Sequence, residues 1–121
     1  MSLSVVNATI SAGQALSSAA DASGCTRIAR IVMPSAWSSG ASLTFQLSVD
    51  GVNYHDLHHV DPNTYFPYEV NVARPPVGGV LTLPAGLGAA VSFVKIRSGT
   101  AALPVTQQAD RQFELVLEMP S

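Results

Sequence analysis

The fold class of this chain is decided by residues 43–59, which read Leu43-Thr44-Phe45-Gln46-Leu47-Ser48-Val49-Asp50-Gly51-Val52-Asn53-Tyr54-His55-Asp56-Leu57-His58-His59. The first half alternates with a period of two, and its apolar members are Leu43, Phe45, Leu47 and Val49. This alternation predicts a strand with an apolar face toward the core and a solvent-exposed face, called the wet face, that carries Thr44, Gln46 and Ser48. Asp50-Gly51 favours a tight turn, and a second strand returns through Val52 and Tyr54. A hairpin with one wet face is typical of an antiparallel sheet.

The rest of the chain repeats this pattern of short alternating runs separated by turn residues. The predicted strands, about eight in number, lie at 3–10, 27–33, 41–49, 52–59, 65–73, 80–83, 91–97 and 112–118. The serine- and alanine-rich segment 11–24 predicts a loop with a short strand near Leu16, and residues 85–90 predict one short turn. We therefore predict an all-β fold in one domain over residues 1–121, an antiparallel β-sandwich with jelly-roll-like connections. Residues 1–10 form either an extended N-terminal arm or an edge strand in this prediction.

Composition excludes several classes of function. Charged residues make up 12% of the 121 residues, about half the usual share of roughly 25%, and the net charge is −2. A single lysine and five scattered arginines do not form the basic stripe that nucleic acid requires. No run approaches the ~18 apolar residues of a membrane span, and the N-terminus lacks the pattern of a signal peptide. We expect a protein made in the cytoplasm that associates with itself, as a dimer or a trimer, through a neutral surface.

Motifs for catalysis or cofactor binding are weak. Residues 55–61 hold the one histidine and aspartate cluster, in which His55 with His59, or Asp56 with His58, supplies two ligands on one strand face. A zinc site normally needs four ligands, so we predict no metal and keep His55 and His59 as the only candidates. The chain has no Gly-x-Ser-x-Gly elbow, and its Gly86-Leu87-Gly88 lacks the rest of a dinucleotide fingerprint. We predict a protein without cofactor or enzymatic activity.

Aromatic and charged side chains give three further expectations. The aromatic side chains are candidates for a platform that binds sugars, with core or interface anchors as the alternative; they are Trp37, Tyr54, Tyr65, Phe66 and Tyr68. Tyr65, Phe66 and Tyr68 lie between turn signals and, if exposed, form a candidate contact patch. Trp37 is expected to cap one end of the core from a loop. Arg97 is expected to pair with Asp110 or Glu114, in a salt bridge of little worth if exposed.

Several segments between residues 28 and 117 resemble small virion proteins of tailed bacteriophages and prophages. They are Ile31-Val32-Met33-Pro34-Ser35-Ala36-Trp37, Leu43-Thr44-Phe45-Gln46, Asp50-Gly51, Lys95-Ile96-Arg97-Ser98-Gly99-Thr100 and Gln107-Gln108-Ala109-Asp110-Arg111. The resemblance implies a capsid decoration, or cement, protein: a β-rich structural subunit on the outer surface of the virion, bound to the major capsid protein, with no catalytic residue. The alternative is a tail- or fibre-associated binding module that recognises carbohydrate.

The N-terminal strand suggests how such a subunit could bind a neighbour. Its apolar, β-branched stretch includes Ser4, Val5 and Val6 and is free of charge. An extended segment of this kind can add a strand to the sheet of a capsid protein or of a neighbouring subunit through backbone hydrogen bonds. Ser4, Val5 and Val6 are therefore candidate contact residues beside Tyr65, Phe66 and Tyr68.

Overall fold

A computed structural model describes residues 2–83 and 92–120. The described residues form ten strands and contain no helix, and every pairing between strands is antiparallel. The strands are β1 (Ser2–Ile10), β2 (Ala20–Asp21), β3 (Arg27–Val32), β4 (Leu43–Ser48), β5 (His55–Asp56), β6 (His58–Val60), β7 (Pro67–Glu69), β8 (Val80–Thr82), β9 (Phe93–Ser98) and β10 (Arg111–Met119). The predicted antiparallel all-β fold is confirmed.

Two four-stranded sheets contain eight of the ten described strands. The first has the order β1-β10-β3-β8 and the second the order β2-β9-β4-β5, while β6 and β7 form a separate hairpin. The pairings are nested, because β1 pairs with β10, β2 with β9, β3 with β8 and β4 with β5. The chain therefore crosses between the two sheets repeatedly, and the β6–β7 hairpin is inserted between β5 and β8.

One hydrophobic core is shared by both sheets. The first sheet contributes Ile10, Phe113 and Leu115, and the second contributes Leu43 and Ile96, all of them fully buried. The loop residue Trp37 packs against this core, with its ring edge-on to Phe113 at a centroid distance of 5.5 Å. Its indole N–H donates to the Ala41 carbonyl, so the prediction that Trp37 caps the core is confirmed.

A β-bulge in the pairing of β3 with β10 explains how β3 reaches the core. Ile28 and Ile31 are three residues apart, so a regular strand would point them to opposite faces. Leu117 pairs with Ile28 and the adjacent Val116 pairs with Arg30, which leaves Ala29 as an extra residue on β3. The bulge shifts the alternation by one residue, and both isoleucines are buried.

The hairpin that decided the fold class forms, but its turn is longer than predicted. β4 pairs with β5 through Gln46–Asp56 and Leu47–His55, so the connection runs over residues 49–54. A carboxylate oxygen of Asp50 accepts hydrogen bonds from the backbone N–H groups of Asn53 and Val52, and these bonds lower the pKa of Asp50 well below its usual range. Val49 lies in this turn with 86% of its surface exposed, so its predicted place on the core face is wrong.

The predicted wet face of β4 is also wrong at two of its three positions. Thr44 and Ser48 are buried, and only Gln46 remains partly exposed. Thr44 donates to the Gly99 carbonyl, and the Ser48 hydroxyl accepts from the backbone N–H of Gly51. Both faces of β4 are thus covered, one by the core and the other by polar contacts.

Other boundaries differ from the prediction for local reasons. The predicted strand at 52–59 is divided into β5 and β6, because the N–H of Leu57 donates to Phe45 while its C=O accepts from Val70. The predicted strand at 65–73 is shortened to β7, with Val72 forming a single bridge to Leu43. Segment 11–24 contains β2 and an isolated bridge at Leu16, close to the predicted short strand. The predicted turn at 85–90 lies outside the described residues.

Candidate functional site

The β6–β7 hairpin presents the largest group of exposed aromatic side chains in the described structure. Tyr65 and Phe66, at its turn, are 78% and 73% exposed, and Tyr68 on β7 is half exposed. The ring of Tyr68 packs edge-on against His59 of β6, with a centroid distance of 5.7 Å. We call Tyr65, Phe66, Tyr68 and His59 the aromatic tip. Tyrosine is among the side chains most enriched at energetically important protein contacts, and phenylalanine is enriched in protein interfaces.

The turn that carries the aromatic tip is ordered by Asp61. Its carboxylate accepts hydrogen bonds from the N–H groups of Asn63 and Thr64. Its carbonyl accepts from the N–H of Tyr65, and its own N–H donates to Phe66. This turn chemistry agrees with the Asp-Pro-Asn signal in the sequence, and it fixes the backbone on both sides of the two exposed rings.

Tyr65 has an unusual backbone conformation. Its φ angle is +61°, the only positive φ of a non-glycine residue among those described. A bulky L-residue in this left-handed region costs about 1–2 kcal/mol relative to a right-handed conformation. Residues held in sparsely populated backbone conformations cluster at functional sites such as ligand clamps and switch regions.

The base of the hairpin is attached to the second sheet. The N–H of Leu57 donates to the Phe45 carbonyl, and the N–H of Val70 donates to the Leu57 carbonyl. Val70 is buried in the core, and Leu57 packs against it. Residues on both arms of the hairpin are therefore joined to each other by a backbone hydrogen bond and, through Leu57, to β4.

A buried arginine completes this attachment. Arg97 on β9 is only 7% exposed. Its Nη1 donates to Asp56 of β5 at 2.8 Å and its Nη2 donates to Glu69 of β7 at 2.6 Å. Its Nε donates to the Thr44 hydroxyl at 3.0 Å. Charged hydrogen bonds in which both partners are partly withdrawn from water are stronger than exposed ion pairs.

The two carboxylates come from the two arms that lead into the hairpin, one before β6 and one within β7. The Arg97 guanidinium holds the pKa of Asp56 below its usual value, against the opposing effect of partial burial. Glu69 also accepts from the N–H of Ala101. The predicted pairing of Arg97 with Asp110 or Glu114 is wrong, because Asp110 instead accepts from the N–H of Ala12 and Glu114 is exposed.

The histidine cluster is divided by the structure. His55 lies on β5 and lines an open groove of about 440 Å³ together with Leu47, Asp56 and His58. His59 instead packs on Tyr68 in the aromatic tip. Within residues 2–83 and 92–120, no three His, Cys, Asp or Glu side chains are grouped to hold a metal ion. His55 and His59 stay untested as metal candidates.

The N-terminal candidates lie on an edge strand. β1 pairs with β10 along its whole length and forms one edge of the first sheet. Of the two predicted alternatives for this segment, an extended arm or an edge strand, the structure has the edge strand. Val5 points outward and is exposed, whereas Ser4 and Val6 point inward and are only partly covered. These residues are remote in sequence from the aromatic tip and form a second candidate contact surface.

No protein-family model, curated protein or solved structure matches this chain. Among the described residues, none belongs to a helix of the length and apolar character needed to cross a membrane.

Proposed function

We propose that this chain is a non-catalytic structural protein of a tailed-phage virion, a decoration protein that binds the outside of the capsid. The observation that carries the proposal is the aromatic tip, which combines exposed rings with a base fixed by Arg97, Asp56 and Glu69. The sequence resemblance to small phage virion proteins supports the same function. The partner is the major capsid protein, and copies of the chain also associate with one another.

The strand order supports a jelly-roll interpretation of the fold. A jelly roll has eight strands in two sheets and is produced when a long antiparallel hairpin is rolled up. The four nested pairings, from β1 with β10 to β4 with β5, are those of such a rolled hairpin. The β6–β7 hairpin is then an insertion at the end of the roll.

A rigid contact element favours binding because little conformational freedom is lost when the partner is met. The Asp61 hydrogen bonds order the turn, and the Arg97 ion pairs hold its base. The backbone that carries Tyr65 and Phe66 is therefore already ordered before contact. On a symmetric shell, many such contacts act together, so that moderate affinity at each site stabilises the particle.

The test is co-sedimentation with purified shells of the phage or prophage that encodes the chain, with variants of the aromatic tip. Tyr65→Gly removes the ring and also relieves the positive φ, so we expect it to fold normally. Phe66→Ala removes a ring that is mostly exposed, so its effect on stability should be small. Each variant is expected to weaken shell binding by about 2 kcal/mol, or about thirty-fold in Kd.

Leu103→Ala is the matched control. Leu103 is 76% exposed, comparable to Phe66, and lies in the loop after β9 rather than in the aromatic tip. The control is expected to bind shells with the affinity of the unsubstituted protein. If all three variants bind as the unsubstituted protein does, or if none of the proteins binds shells, the aromatic tip is not a capsid contact.

The alternative function is a tail- or fibre-associated module that recognises carbohydrate. Aromatic faces suit the CH groups of sugars, and the neighbouring rings of Tyr65, Phe66 and Tyr68 are all exposed. A glycan array distinguishes the two functions. Glycan binding that is lost in Tyr65→Gly, without binding to shells, would favour the tail module.

A further inference from the structure

The edge of the first sheet formed by β1 has unused backbone hydrogen-bonding groups. The N–H and C=O of Thr9 both point away from β10, because they bond to the Ser18 hydroxyl and the Ser18 N–H. Backbone direction alternates along a strand, so the groups of Leu3, Val5 and Asn7 point the same way. No described segment outside β1 bonds to these three residues. We call residues 3–7 the open edge.

The open edge lacks the features that normally prevent strand pairing. It has no charged residue and no proline, and its register with β10 is free of bulges. Natural edge strands are usually protected by such features, since unpaired backbone groups otherwise attract another strand. Leu3 and Val5 also expose their side chains on the outer face of the sheet, beside the partly exposed Val116. This combination of open backbone and exposed apolar surface is typical of a contact surface.

We propose that two copies of the chain pair through their open edges, antiparallel and about a two-fold axis at Val5. Ser18 covers the strand at Thr9, so the outward-pointing residues that are free on the described part of β1 are Leu3, Val5 and Asn7, with Val5 in the middle. When Val5 of one copy lies opposite Val5 of the other, Leu3 of each copy lies opposite Asn7 of the other copy. Each of these three pairs exchanges two backbone hydrogen bonds, giving about six in all.

The open edge suits a second copy, because its uncharged residues and outward-pointing backbone groups can pair with an identical strand. A two-fold contact uses the same surface on both molecules and closes as a dimer. No charged residue lies in the open edge, so the pairing creates no like-charge contact. The two Val5 side chains meet across the axis, and each also lies beside Val116 of its own β10. Cross-strand pairs of β-branched side chains such as these stabilise a sheet. The two first sheets become one continuous eight-stranded sheet.

The proposed dimer forms without the phage particle. A protein that does not dimerise and a protein that does not bind capsids are therefore distinguishable outcomes. The first measurement is the mass of the purified full chain in solution by sedimentation. We expect twice the monomer mass of 12.6 kDa. A monomer or a trimer over the whole accessible range of concentration would overturn the proposal.

Val5→Lys places two like charges opposite each other at the axis and is expected to halve the sedimenting mass. Val80→Lys is the matched control, because Val80 is also 55% exposed and lies on β8, the other edge strand of the same sheet. The control is expected to remain a dimer. If Val5→Lys stays dimeric, or if Val80→Lys separates the copies, the contact is elsewhere.

A covalent test covers the case in which Val5→Lys fails to fold. Cα atoms in a hydrogen-bonded antiparallel pair lie about 5.5 Å apart, so cysteines at this position are within reach of a short bis-maleimide cross-linker. With this reagent, Val5→Cys is expected to form a covalent dimer on a denaturing gel, while Val80→Cys and the unsubstituted protein with its native Cys25 do not. Absence of the covalent dimer in Val5→Cys would contradict the two-fold axis.

Discussion

Replacing Arg97 with methionine tests whether the buried ion pairs hold the hairpin that carries the aromatic tip. Methionine keeps an apolar stem but removes all three donors, to Asp56, Glu69 and Thr44. Removing one partner of a buried pair costs about 3–5 kcal/mol, because the remaining charges are left without compensation. The side chains of Asp56 and Glu69 are 31% and 19% exposed, so water can solvate them in part. We therefore expect a loss of about 2–3 kcal/mol in the free energy of unfolding.

For a chain of this length, that loss lowers Tm by about 10 °C, measured by thermal unfolding at neutral pH. Hydrogen exchange should locate the effect, with faster exchange of the Leu57 and Val70 amides that fix the base of the hairpin. Arg27→Met is the control, because the Arg27–Glu118 pair lies at a more exposed position and should matter less. An Arg97→Met protein with unchanged Tm and unchanged exchange would refute the claim that Arg97 anchors the hairpin.

Two further predictions concern pH and backbone crowding. The pKa of Asp56 is lower in the folded protein than in the unfolded chain, so its contribution to stability is complete above about pH 4 and is lost as the pH falls through the folded value. The difference in Tm between the unsubstituted protein and Asp56→Asn should therefore be largest at neutral pH and smaller in acid. A Tm difference that does not depend on pH would contradict this prediction. Gly99→Ala should cost more than Gly40→Ala in urea unfolding, although both residues have positive φ angles. A Cβ at Gly99 would clash with the Leu103 carbonyl oxygen, whereas nothing lies within 4 Å of a Cβ at Gly40, and equal losses would show that crowding is not the cause.

The strands were predictable from sequence where alternation and burial agree. β10 has Phe113, Leu115 and Leu117 buried and Glu114 exposed, as its period of two requires. β3 was predicted as a strand, but not its bulge at Ala29, because an alternation defines faces only while the register is regular. The prediction for Val49 fails because the carboxylate of Asp50 accepts hydrogen bonds from the N–H groups of Val52 and Asn53. These bonds lengthen the turn, so β4 ends at Ser48 and Val49 lies outside the strand.

The candidate site was predictable only in its exposed part. Turn residues on both sides of Tyr65 and Phe66 indicated an accessible loop, and both rings are exposed. The anchor was not predictable, because Asp56 is 41 residues and Glu69 is 28 residues from Arg97 in sequence. A search by proximity along the chain favours nearer partners such as Asp110, and only the fold brings the true ones together.

Gln107 shows the same limit for a neutral side chain. It is 1% exposed, although glutamine is usually a surface residue. Its amide nitrogen donates to Ser98, and its oxygen accepts from Ser38 and Arg111. Arg111 and Ser98 are only 4 and 9 residues from Gln107 in sequence, whereas Ser38 is 69 residues away. The contact with Ser38 depends on the fold, and no local pattern in the sequence identifies it.

The most direct test of the proposed function is the number and position of copies on purified particles, determined by cryo-electron microscopy together with quantitative mass spectrometry. The proposal predicts a copy number proportional to that of the major capsid protein, with density for the chain on the outer capsid surface and the β6–β7 hairpin in contact with the shell. A few copies confined to the tail, or no copies on the particle, would contradict it.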